Sequence, residues 1–201
     1  MLPEERAGLP IVAFDDAAAW EAWLAAQPRD HAGLWLKLAK AGNTASILTK
    51  PQAVDGALIH GWIDGQLNPY DGAWWLIRFT PRKPRSKWSE KNRTRVGELI
   101  AAARMAPGGL AEVDAAEADG RWDAAYAPQS TAAVPDDLAA ALDVDTAARR
   151  FFDALDGANR YAILYRIHDA KRPATRAARI ARYVAMCAAG ETVHPVKGAA
   201  S

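Results

Sequence analysis

The sequence predicts an α+β protein: a small, mostly antiparallel sheet with helices in the N-terminal half, then an all-helical C-terminal half. Three observations carry this. Short apolar runs bounded by turn residues lie in the first 80 positions, among them Ile11–Phe14, Leu34–Leu38 and the two arms flanking Asp71-Gly72. From Pro135 to Gly190 the apolar residues instead recur at helical spacing. Half of the 201 residues are hydrophobic and 24% are charged, the mix of a folded globule.

Each element has a local reason. Ile11-Val12-Ala13-Phe14 reads as a first strand, and Asp15 or Asp16 can cap the helix after it. Trp20, Trp23 and Leu24 form that helix's apolar stripe, and Pro28 ends it. Leu34–Leu38 reads as a strand. Thr49-Lys50-Pro51-Gln52 has the form of a capping box, with proline in the first turn where its missing N–H costs nothing. The Asp71-Gly72 pair predicts a hairpin between Gln66–Tyr70 and Ala73–Phe79, with Pro69 making the first arm an edge or irregular strand. Ser86 or Ser89 can cap a helix carrying Trp88, Val96, Leu99, Ile100 and Ala103. Pro107 opens another, closed by Gly120. In the C-terminal half, helices are expected over Asp136–Leu142, Thr146–Leu155 and Asn159–His168, then from Pro173 to a terminal Gly190. The expected organisation is an α+β domain over 1–126, a linker over 127–134, a helical region over 135–190 and a tail over 191–201.

The net charge of +1 conceals segregation. Residues 78–95 carry eight basic side chains and one acidic; residues 160–182 carry seven and one. Between them, residues 96–159 hold four basic and twelve acidic side chains. The blocks either neutralise the acidic middle or present an electropositive surface to an anion. The sequence pI of about 7.9 is below that of a dedicated nucleic-acid domain, no nucleic-acid signature occurs, and nucleic acid is therefore not the expected partner.

Cys187 is the single cysteine, which excludes an intrachain disulfide and a multi-cysteine zinc site. The opening Met1-Leu2-Pro3-Glu4-Glu5-Arg6 has no basic region followed by an apolar one, and no run approaches the roughly 18 apolar residues of a membrane span. The expectation is a cytoplasmic protein. His31, His60, His168 and His194 show no i, i+4 pair and no HExxH, and neither a nucleophile elbow nor a glycine-rich phosphate loop occurs. No metal or cofactor is expected.

Gly61-Trp62-Ile63-Asp64-Gly65, Phe79-Thr80-Pro81-Arg82 and Ser86-Lys87-Trp88-Ser89 with Asn92 resemble the YdeI/OmpD-associated family, also labelled bacteriocin-protection proteins. So do Gly120-Arg121-Trp122 with Ala125-Tyr126, Asn159-Arg160, Ala170-Lys171 and Thr175–Ile180. The resemblance runs from about Phe14 to Ala189. It implies a role in antimicrobial or envelope-stress tolerance and no established reaction. Family members often carry Cys-Phe or Cys-Tyr before the Gly-Trp pair; Ile59 and His60 stand there in this chain, which excludes a thiol reaction at that point.

The candidate ligand-binding residues are Trp62, Asp64, Arg78, Arg82, Ser86, Trp88 and Asn92. Arginine presents a rigid fork of donors suited to phosphate or carboxylate. Ser86 and Ser89 stand where a helix N-terminus favours an anion. Trp88 supplies an apolar wall, and Asn92 follows one turn later on the same face. Asp64 either forms a solvated Asp-Gly turn or lines a pocket. The leading expectation is a non-catalytic binder of a small anionic or polar ligand. One alternative is an enzyme using Asp64, with His60, as a general base. Another is an interaction module that docks a protein or nucleic acid on its basic blocks.

Overall fold

The computed structural model describes residues 4–43 and 48–195. Met1–Pro3 and the last six residues of the expected tail lie outside the described residues. The chain divides into two compact units, Met1–Ala125 and Tyr126–Ser201.

The first unit is built on a five-stranded mixed sheet of order β1-β2-β3-β5-β4. Its strands are β1 (Glu5–Arg6), β2 (Leu9–Val12), β3 (Leu34–Ala39), β4 (Trp62–Pro69) and β5 (Trp74–Pro81). The expected mostly antiparallel sheet gives way to a mixed one because β2 and β3 pair in parallel. The helix α1 (Ala17–Ala25) makes the crossover between them, the kind of connection that parallel neighbours require. The expected hairpin is present as β4 and β5, with Asp71 Oδ1 accepting from the Ala73 and Trp74 amides at the turn. Asp16 caps α1 by accepting from the Ala19 amide. Thr49 and Gln52 form the capping box of α2 (Lys50–Ile59).

The main core lies between one face of the sheet and these two helices. Trp20 and Leu24 from α1 and Ala53 and Ala57 from α2 meet Leu34, Leu36, Leu38, Ile77 and Phe79. A second cluster joins Leu58 and Ile59 to Trp88, to Val96 and Leu99 of α3 (Glu90–Ala101), and to Val113 and Ala116 of α4 (Pro107–Ala118). Two glycines set the loops beside β5. Gly33 has φ +105°, and a Cβ there would stand 2.5 Å from the Phe79 carbonyl oxygen, so only glycine lets residues 29–32 lie against the strand. Gly61 has φ +78° and turns the chain from α2 into β4.

The second unit is helical throughout: α5 (Asp136–Asp143), α6 (Thr146–Ala154), α7 (Gly157–His168) and α8 (Pro173–Ala188). Asp145 and Asp156 cap α6 and α7. Its core gathers Leu138, Leu142, Phe152, Ile163, Ile167, Ile180, Tyr183 and Cys187. No described helix is long and apolar enough to cross a membrane.

Candidate functional site

The sheet of the first unit ends in an irregular edge strand. Asp64 pairs with Phe79 and Leu67 with Ile77, so Gly65 and Gln66 together oppose Arg78. A bulge of this kind re-aims side chains at a sheet edge. Beside it opens a cleft of about 620 Å3, walled by Arg29–Ala32, Ile63–Gln66 and Arg78 with Thr80–Pro84. The volume falls within the roughly 300–1,000 Å3 typical of small-molecule sites.

Three of the seven sequence-predicted ligand residues, Asp64, Arg78 and Arg82, share this cleft. Asp64 and Arg78 are both half-buried. Among the described residues neither makes an ion pair with the other or with anything else at 4.0 Å or less. The Arg78 Nε is buried and has no hydrogen-bond partner among the described residues. Arg82 is 5% exposed, with its guanidinium carbon 3.4 Å from the centroid of the Trp88 ring. Its Nη1 donates to the Lys87 carbonyl at 3.2 Å, and its backbone N–H donates to the Gly61 carbonyl at 3.0 Å. That stack and those bonds fix where the cation stands.

Trp62, Ser86, Trp88 and Asn92 are not among the residues that wall the cleft. Trp62 packs in the core against Trp23 and His31, with ring centroids 5.5 and 5.6 Å away. Trp88 is 1% exposed beneath Arg82, edge-on to Trp122. Ser86 closes the loop before α3: its hydroxyl accepts from the Lys83 amide at 2.9 Å. Ser89, not Ser86, caps α3, accepting from the backbone N–H of Asn92 at 3.1 Å. His60 ends α2 outside the cleft wall. Burial pushes its imidazole below the usual range, partly offset by the Glu21 charge.

The structure adds residues that sequence reasoning passed over. Arg29, Asp30 and His31 reach the cleft because Gly33 folds their loop onto β5. His31 Nδ1 accepts from the Gly33 amide at 2.9 Å, which leaves Nε2 as the protonated nitrogen of the neutral ring. Arg29 is bonded to Glu112 and to the Gly108 carbonyl. Gly33, directly before β3, was the signal that could have drawn attention to this segment. Thr80 and Lys83 flank the predicted arginines and complete the wall.

Most of the remaining basic residues are engaged locally. Arg95 holds Asp55 through Nε and Nη2 at 2.8 and 2.6 Å, and Arg93 donates to the Trp122 carbonyl. In the second unit Arg176 binds Asp137 at 2.5 and 2.8 Å and holds that carboxyl below its usual range. Arg179 donates to the Arg166 carbonyl and stands 3.6 Å from Asp169. That unit has its own hollow, of about 580 Å3, lined by Arg166, Arg182, Tyr183, Met186, Thr192 and neighbours. No group of three or more His, Cys, Asp or Glu side chains that could hold a metal occurs among the described residues.

Comparison with known proteins divides the chain along similar lines. Residues 131–190 match the family described as bacteriocin-protection, YdeI or OmpD-associated, the family that the motifs resemble. Residues 12–112, half of the chain, match the family described as a domain of unknown function, DUF8412. The chain belongs to the DUF8412 family and carries a YdeI/OmpD-associated segment. The cleft lies wholly in the DUF8412 portion, as do the motifs from Gly61 to Asn92. The YdeI/OmpD-associated segment spans all four helices of the second unit. No curated protein matches the chain, and no solved structure does.

Proposed function

We propose that the protein is a binder of a small anionic or polar molecule, held in the cleft beside the β4 bulge. The observation that carries this reading is the meeting of Arg78, Arg82 and Lys83 with Asp64 and His31 around one hollow of small-molecule size. A half-buried guanidinium without a protein partner retains much of its capacity to bind an anion. Arg82 is held in place over Trp88, which fixes that side of the wall. The basic-block docking reading is less favoured, because Arg93, Arg95, Arg176 and Arg179 are bonded within their own units.

The physiological setting we propose is tolerance of antimicrobial peptides or envelope stress, on the strength of the family description; the cytoplasm is the location we propose, since the chain has a single cysteine. A thermal-shift screen of phosphorylated and carboxylated metabolites tests the binding reading. At least one compound is expected to raise the melting temperature of the wild-type protein and to lose that effect in Arg78→Gln. A screen in which no compound acts, or in which Arg78→Gln responds like wild type, overturns it.

A further inference from the structure

We infer that the guest of this cleft is an organic acid with a short apolar chain, its acid group held by Arg78 and Thr80 and its chain laid on Ile63. The inference rests on the binding reading above and adds the chemical class. Arg78 and Thr80 stand two apart on β5, and side chains two apart on a strand project from the same face. Thr80 pairs with Ile63, and directly paired residues share a face with their Cβ atoms about 5 Å apart. Arg78, Thr80 and Ile63 therefore share one face at the sheet's edge, and all three wall the cleft. Phe79, which pairs with Asp64, projects from the opposite face into the main core. The Asp64 side chain thus leaves β4 on that opposite face, away from the one that presents Arg78.

Each of the three has an unused capacity. The Arg78 guanidinium makes no hydrogen bond or ion pair among the described residues, and only its Nε is buried, so Nη1 and Nη2 stay open. Two such nitrogens form the fork that matches a pair of acid oxygens. Thr80 turns its methyl to Gly33, where a Cβ would stand 2.6 Å from it, and its hydroxyl makes no hydrogen bond among the described residues. Ile63 is half-buried and joins none of the apolar clusters of the first unit. The bulge keeps the space beside Arg78 open. Gly65 lies opposite Arg78, and a Cβ there would meet only the Arg78 carbonyl oxygen at 3.7 Å and Arg78 Cβ at 4.0 Å. An acid group bonded to the Thr80 hydroxyl has Ile63 as its cross-strand neighbour, so a chain of a few carbons reaches that apolar wall.

Calorimetric titration of methylphosphonate and propylphosphonate tests this, since the two share an acid group and differ in two CH2 groups. Wild type is expected to bind the propyl compound at least about fivefold more tightly, as the longer chain covers Ile63. Ile63→Thr, which retains a β-branched side chain in the strand, is expected to reduce that preference below about twofold. Thr80→Val, which removes only the hydroxyl, is expected to weaken both compounds at least about threefold. Arg78→Gln is expected to bind neither. Equal affinities in wild type, a preference that persists in Ile63→Thr, or wild-type binding by Thr80→Val overturns this inference and leaves the binding reading standing. If wild type binds neither phosphonate, or Arg78→Gln binds both as wild type does, the binding reading and the inference fall together.

Discussion

At the residue scale the site depends on one stack. Arg82 and Trp88 sit six positions apart, with the guanidinium stacked on the indole. The indole N–H of Trp88 is buried without an acceptor among the described residues, which carries the cost of an unmet donor. Trp88→Phe removes that donor while retaining an aromatic face for the guanidinium. It should cost less than about 1.5 kcal/mol in denaturant unfolding. Trp88→Ala removes the packing as well and should cost about 3–5 kcal/mol. The contrast between the two checks that Trp88 serves as a support under the cation. Trp88 and Asn92 were expected to touch a ligand because they stand near Arg82 in sequence. Their burial and capping geometry depend on how α3 meets α2 and α4, which no local pattern reveals.

At the element scale, most starts and stops were legible from their caps. Asp16, the Thr49–Gln52 box, Ser89 and Gly190 each act at a position where their chemistry was expected to act. Thr49→Ala should lower stability by about 1 kcal/mol through loss of the box at α2, measurable as a shift in the denaturation midpoint. The short β1 and the parallel β2–β3 pairing were not legible. A two-residue strand has no period, and pairing direction depends on where α1 carries the chain. The bulge was equally hidden: Asp64-Gly65 has the composition of a turn, yet both residues lie within β4. Sequence fixes what a dipeptide can do locally, whereas the register against β5 decides what it does.

At the scale of the whole molecule, charge segregation resolves into many short-range pairs and, beside the β4 bulge, a cleft where Asp64 and Arg78 make no ion pair among the described residues. The two basic blocks divide between the two units. Acid sensitivity follows from the pairs. Arg121 holds Asp119, Arg176 holds Asp137 and the Asn159 amide holds Asp156 below the ordinary value of 3.8. A carboxyl depressed in the folded state stabilises it above the unfolded value and loses that contribution as pH falls through the folded value. His60, lowered by burial, adds stability above 6.5 that is lost as pH falls from there towards its folded value. Both act in one direction. The melting temperature should decline mildly from pH 7 to 5 and more steeply below about pH 4. His60→Gln should flatten only the upper part of that profile.

The central claim is that an anion settles beside the β4 bulge. Heteronuclear NMR on the labelled full-length protein, titrated with propylphosphonate, locates it directly. The account predicts saturable shifts in the backbone amides of residues 29–32, 63–66 and 78–83, and none of comparable size around Arg166, Arg182 and Thr192. Shifts centred on that second hollow, or no saturable shift anywhere, would contradict it.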